Sequence, residues 1–128
     1  MKLINFFLVA TGGALGASLR FAFTLFSKNY IFSNHYFIIT LCINILGSFL
    51  IGCVIAIMQS KNFSDELIRY FIIVGLLGSF TTFSAFSIEV VELINEKKMY
   101  LASAYIFTSF FFCISFTFLG LNISKLIS

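Results

Sequence analysis

The sequence contains no proline and no tryptophan, and only 10% of its 128 residues are charged. Soluble domains carry about 25% charged residues, because a folded surface must be compatible with water. That poverty of charge excludes a soluble monomer, and the mean hydropathy of +1.07 agrees. Charges are absent altogether from positions 29–60, 70–88 and 99–124. Uncharged apolar runs of about 18 residues or more read as membrane spans. Catalytic signatures are missing as well. There is no H-E-x-x-H, no G-x-S-x-G and no phosphate loop ending in Lys-Ser/Thr, and the one histidine, His35, falls in a connecting loop. The acidic residues lie near the ends of spans, Glu89 and Glu92 included, so no mid-membrane carboxylate pair is expected to serve as acid and base. An enzyme and a proton-coupled transporter are both disfavoured.

What is present is apolar: 60% of residues are hydrophobic, and 19 are phenylalanine. Four spans are expected, over about 3–26, 36–58, 67–91 and 99–122, each long enough as a helix to cross about 30 Å of hydrocarbon. The connections Ser27–His35, Gln59–Glu66 and Glu92–Lys98 are short, so residues 1–128 read as a single all-α, four-helix transmembrane domain. Lys2, the apolar stretch after it and Ala14-Leu15-Gly16-Ala17 also fit a secretory signal with a small-residue cleavage site, but the apolar run continues past that site. Cys42, Cys53 and Cys113 lie inside apolar runs without C-x-x-C spacing, which points away from disulfides and zinc and towards packing.

Within such spans the small and polar positions carry the information. Gly12 and Gly16 form a G-x-x-x-G whose face continues through Ala17 and Arg20. Thr40, Asn44, Gly47, Ser48 and Gly52 make a second stripe, and Tyr105, Ser109, Cys113 and Thr117 a third. Each stripe is explained by helix packing through small residues and hydroxyls. Together they also suit the lining of a polar path.

The third span differs. Residues 75–87 hold Gly75, Gly78, Ser79, Thr81, Thr82, Ser84 and Ser87, types that weaken a helix or compete for its hydrogen bonds. A helix is expected to break here, near the bilayer midplane; the alternative is a continuous helix whose hydroxyls bond back to their own carbonyls. Broken backbone at membrane depth is tolerated where it is buried in protein or lines a wet cavity, and its carbonyls and amides then become ion ligands. Phe80, Phe83 and Phe86 recur every third residue, and the positive edge of an aromatic ring suits a small anion. Arg20, several turns into its helix, must snorkel, pair or face water. Asn44 offers an interhelical bond or an ion ligand.

Three segments, Gly12-Gly13-Ala14-Leu15-Gly16-Ala17-Ser18-Leu19-Arg20-Phe21, Thr40 through Asn44 and Gly47-Ser48 to Gly52, and Gly75 through Gly78, Thr81-Thr82-Phe83-Ser84 and Phe86, closely resemble in this order the signatures of the fluoride channel family (Fluc/CrcB). The resemblance covers essentially the whole chain. It implies a passive, fluoride-selective channel in the cell (inner or plasma) membrane, exporting cytoplasmic fluoride and so reducing its toxicity. It also implies a dual-topology antiparallel homodimer with two fluoride pathways and a central structural sodium ion. By that resemblance the carbonyls of Gly78 and Thr81 would hold Na+. Phe83 and Phe86 would present ring edges to fluoride, with Ser84 beside them, and Asn44 would order the aromatic cluster. Thr117 would be a pore hydroxyl, Cys113 would stand where a hydroxyl is usual, and Arg20 would line the aqueous vestibule. Ser79 and Ala85 stand where the family often has Gly and Thr.

Two other readings compete. A small multidrug exporter also has four short spans but is expected to carry a glutamate in the first, which this sequence lacks. A non-transporting membrane subunit would use every stripe for packing. The net charge of +3 does not cluster as a nucleic-acid surface would require, leaving the bilayer, fluoride and a second copy as expected partners. With both ends on one side, Lys2, Lys61, Arg69 and Lys125 face Arg20, Lys28, Lys97 and Lys98 across the membrane. Orientation needs an asymmetry in Lys and Arg. The even split favours dual topology.

Overall fold

The computed structural model describes residues 3–30, 36–60 and 65–127, with side chains for all of these except 28–30 and 124–127. The loop expected around His35, together with Lys2 and Lys61 and the side chains of Lys28 and Lys125, lies outside the described residues. Among the described residues the structure is all helical. It comprises α1 (Leu3–Tyr30), α2 (Tyr36–Ser60), a π-helical segment (Ile68–Leu77), α3 (Gly78–Phe80), α4 (Phe83–Asn95) and α5 (Met99–Ile127). Four stretches are long and apolar enough to cross a membrane: Leu3–Ser27, Tyr36–Ser60, Ile68–Asn95 and Met99–Ile123.

The large apolar side chains point outward. Phe6, Phe21, Phe107, Phe111 and Phe118 are all exposed, an arrangement that water would punish and lipid rewards. The buried core is small. One cluster joins Phe37, Phe86, Leu93, Ala102 and Tyr105, and a second joins Ile39, Ile43 and Phe80. Without a hydrophobic drive between helices in lipid, close backbone approach must hold the bundle. The glycines provide it. At the contact of α1 with the π-helical segment, a Cβ on Gly75 would come within 3.0 Å of the Gly12 Cα and the Val9 carbonyl, and one on Gly16 would collide with the Leu76 carbonyl. At the contact of α2 with α5, a Cβ on Gly120 would meet the Gly52 Cα at 3.0 Å.

The third span is uneven along its length. The Gly78 amide still donates to the carbonyls of Gly75 and Ile73, the latter an i to i−5 bond. Helical geometry ends after Phe80. Thr81 (φ −75°, ψ 157°) and Thr82 (φ −151°, ψ 121°) are extended, and α4 starts at Phe83. Thr82 caps it, its hydroxyl accepting from the Ala85 amide at 3.2 Å. At the other end of α4, Lys98 N–H donates to the Leu93 carbonyl and Lys97 N–H to that of Ile94, both at 2.9 Å. This closing turn places Lys97 at φ 60°.

Candidate functional site

The extended pair Thr81-Thr82 is held by one side chain of α2. Thr82 N–H donates to Asn44 Oδ1 at 2.8 Å, and Asn44 Nδ2 donates to the Thr82 carbonyl at 3.0 Å. The amide side chain thus pairs with Thr82 as a neighbouring strand would, satisfying backbone groups that no helix serves. Two carbonyls are released as a result. Gly78 loses Thr82 N–H as its helical donor and keeps only a long 3.5 Å contact from the Thr81 hydroxyl, which also reaches the Leu77 carbonyl at 3.2 Å. Thr81 loses the Ala85 amide to the Thr82 hydroxyl. The two carbonyls at which sodium is expected are thus among those that the local hydrogen bonding of the described residues leaves underused. The donor set fits a hard cation, which prefers such oxygens.

A cavity of about 250 Å3 lies on one side of this break. Asn44 and Ser48 of α2, Thr81 to Phe83 and Phe86 of the third span, and Ser109, Phe110 and Cys113 of α5 line it. Phe86 anchors its aromatic wall: its ring meets Phe110 edge to face at 6.5 Å and 90°, is tilted at 42° to Phe83 5.4 Å away, and packs behind against Tyr105 at 5.0 Å and 62°. Phe86 is buried, whereas Phe83 is 69% exposed at the lip.

A second cavity, about 290 Å3, shares Thr82 with the first in its lining. Arg20 and Glu89 bring the charge to its walls. Arg20 Nε donates to the Ser79 carbonyl at 3.2 Å, so the guanidinium is tied to the segment just before the break. Glu89 accepts from the Thr40 hydroxyl at 2.6 Å and from the Tyr105 hydroxyl at 2.7 Å. One carboxyl group thus links α2, α4 and α5 at the rim, and a turn further along Glu92 accepts from the Tyr36 hydroxyl at 3.0 Å.

Of the residues singled out in the sequence, Asn44, Phe83, Phe86 and Cys113 meet in the first cavity, and Arg20 stands in the second. Ser84 lines neither; its hydroxyl lies 3.1 Å from that of Thr82. Thr117 also lines neither, its hydroxyl donating to the Cys113 carbonyl at 2.9 Å. Gly78 opens α3 just before the extended pair, and Thr81 belongs to that pair and lines the first cavity. Glu89 was passed over for its place near the end of a span. Its signal was available in the register: it follows Phe86 by three residues on an inward helical face, opposite the two hydroxyl stripes.

Four membrane-length apolar helical stretches, with two cavities that share Thr82 in their linings, define the chain as a multi-pass membrane protein. Residues 7–121 match the family model described as CrcB-like protein, Camphor Resistance (CrcB). The chain belongs to this family. It is 43% identical to the fluoride-specific ion channel FluC of Idiomarina loihiensis, over 91% of this chain and 88% of that protein. To the proteins of the same name from Ruminiclostridium cellulolyticum and Agrobacterium fabrum it is 39% and 37% identical, over 99% and 96% of this chain and 97% and 98% of theirs.

Proposed function

We propose that this protein is a fluoride-selective channel, not an enzyme, which lets cytoplasmic fluoride leave the cell passively and so limits its toxicity. The observation that carries the reading is the cavity beside the Asn44–Thr82 clamp, where the rings of Phe83 and Phe86, an amide and small polar groups line one space. Fluoride is small and strongly hydrated, so its path must replace water with several weak donors rather than bind it tightly. Hydrogen fluoride crosses membranes as a neutral acid and ionises inside, and a membrane potential negative inside then drives the anion out through any selective pore. Arg20 raises the local anion concentration at the second cavity. Thr82, shared by both cavities, lies on the way between them.

The working unit in this reading is a pair of antiparallel copies, with the break near the bilayer midplane. The exposed Phe83 lip and the underused Gly78 and Thr81 carbonyls support this, because a second copy would cover the first and double the second. Those four carbonyls would hold a structural sodium ion, whose fixed positive charge lowers the cost of an anion in low dielectric. The pore residues in this scheme are Asn44, Phe83, Phe86 and Cys113, with Arg20 at the vestibule and Ser84 and Thr117 flanking the route.

Vesicles loaded with fluoride and containing the purified protein provide the test, with release read by a fluoride electrode. Release well above that of protein-free vesicles is expected. Folded protein giving no release overturns the reading, and favours a non-transporting subunit.

A further inference from the structure

The cavity beside Thr82 contains an unpaired polar group. Ser109 is 8% exposed, lines the cavity, and its hydroxyl has no hydrogen-bond partner among the described residues. Buried hydroxyls are paired in the great majority of cases, so this one marks the position of a small polar guest. Cys113 follows one turn later on the same face of α5, lines the same cavity, and carries a free thiol. A guest near the Ser109 hydroxyl therefore shares its cavity with the Cys113 side chain.

We propose that Cys113 is a covalent attachment site for small thiophilic metal species of the neutral organomercurial class, and that attachment there closes the pathway. The closure rests on the fluoride reading above; the attachment site does not. Among the groups on the cavity wall, the sulfur is the one soft ligand, and the neighbouring hydroxyls of Ser48 and Ser109 are hard and do not compete for such a metal. Neutrality matters too. The walls are mostly aromatic and aliphatic, and a bare cation would have to shed its hydration to enter. A linear species such as methylmercury chloride enters without that cost. In the reaction a sulfur–mercury bond forms while the S–H and mercury–chloride bonds break; the proton and chloride leave to solvent, and no atom is oxidised or reduced. The attached group then occupies the space of about 250 Å3 that Cys113 shares with Ser109, Phe83 and Phe86.

The other cysteines can be separated from this effect, because Cys42 and Cys53 line neither cavity. Full-length protein carrying Cys42→Ala and Cys53→Ala is placed in fluoride-loaded vesicles and treated with methylmercury chloride; Cys42→Ser with Cys53→Ser serves as a second background if the first misfolds. Intact mass and peptide mapping report attachment, and the electrode reports flux relative to the same untreated sample. One adduct per chain at Cys113 is expected, with flux falling by roughly tenfold and recovering in excess dithiothreitol. Adding Cys113→Ala removes the adduct and makes the treated-to-untreated ratio close to unity. Complete attachment with unchanged flux overturns the closure. Absent attachment in protein that conducts overturns the site and the closure and leaves the fluoride reading standing, whereas absent flux from the untreated protein overturns the fluoride reading and the closure with it.

Discussion

Asn44 and Thr82, 38 residues apart in sequence, exchange a reciprocal pair of hydrogen bonds at 2.8 and 3.0 Å. That pairing stabilises two extended residues inside a membrane-length stretch. It also occupies the Thr82 N–H that a continuous helix would direct to the Gly78 carbonyl.

Replacing Asn44 by Ala leaves the amide and carbonyl of Thr82 without partners. The cost is about 1–3 kcal/mol for a buried unsatisfied group, measurable as a lower thermal midpoint in detergent. Fluoride flux falls as the Thr81-Thr82 geometry relaxes. A variant with full stability and full flux would show that water replaces the side chain.

Phe83→Ile removes the ring edge at the lip of the cavity and keeps an apolar side chain of similar bulk. Phe83 is exposed in the single chain, so its own fold loses little. Flux drops by roughly tenfold or more, while chemical cross-linking gives the same species as for the unsubstituted protein. Unchanged flux removes the ring-edge role from this position.

Gly75 and Gly13 separate backbone from side-chain crowding. A Cβ on Gly75 meets the Gly12 Cα and Val9 carbonyl at 3.0 Å and the Gly13 amide at 3.1 Å, all backbone. Gly75→Ala therefore pushes α1 away and destabilises by about 1–3 kcal/mol. Gly13→Ala meets the Ser79 hydroxyl oxygen at 3.2 Å, a group that can rotate, so its effect is smaller. Denaturant titration of the two variants side by side checks the order.

Lys97→Gly acts in the opposite direction. Lys97 sits at φ 60° where the chain leaves α4, a conformation that costs a side-chain-bearing residue about 1 kcal/mol. Glycine relieves most of that, raising the thermal midpoint with flux unchanged. The nearby Lys98–Glu96 pair at 2.7 Å is largely exposed and contributes little to the comparison.

Helix-breaking composition made the segment from Gly75 to Ser87 stand out, because Gly, Ser and Thr act on their own backbone and need no distant partner. Asn44 was recognisable as a polar residue in an apolar span, but its partner was not. Nothing in local spacing tells an amide which peptide unit, 38 residues away, it will bind. The glycine stripes are where sequence and structure diverge in meaning. Gly12 and Gly16 share a face with Arg20, yet the glycines pack against backbone while Arg20 alone reaches a cavity. Along α5, Ser109 and Cys113 open into the first cavity, while the Thr117 hydroxyl turns back onto its own helix.

Lack of charge, four long apolar runs and a cluster of helix breakers are properties of composition and short-range order, so the sequence by itself determined a membrane-crossing helical chain with an irregular third span. The tertiary structure decided which polar groups meet. Glu89 illustrates the division: near the end of its span it reads as a solvated charge, yet the packing of α2, α4 and α5 brings the Thr40 and Tyr105 hydroxyls to its two oxygens. Such contacts depend on the rotation of each helix about its axis. In lipid, where apolar faces are nearly interchangeable, that rotation is set by close backbone packing and specific hydrogen bonds between distant residues.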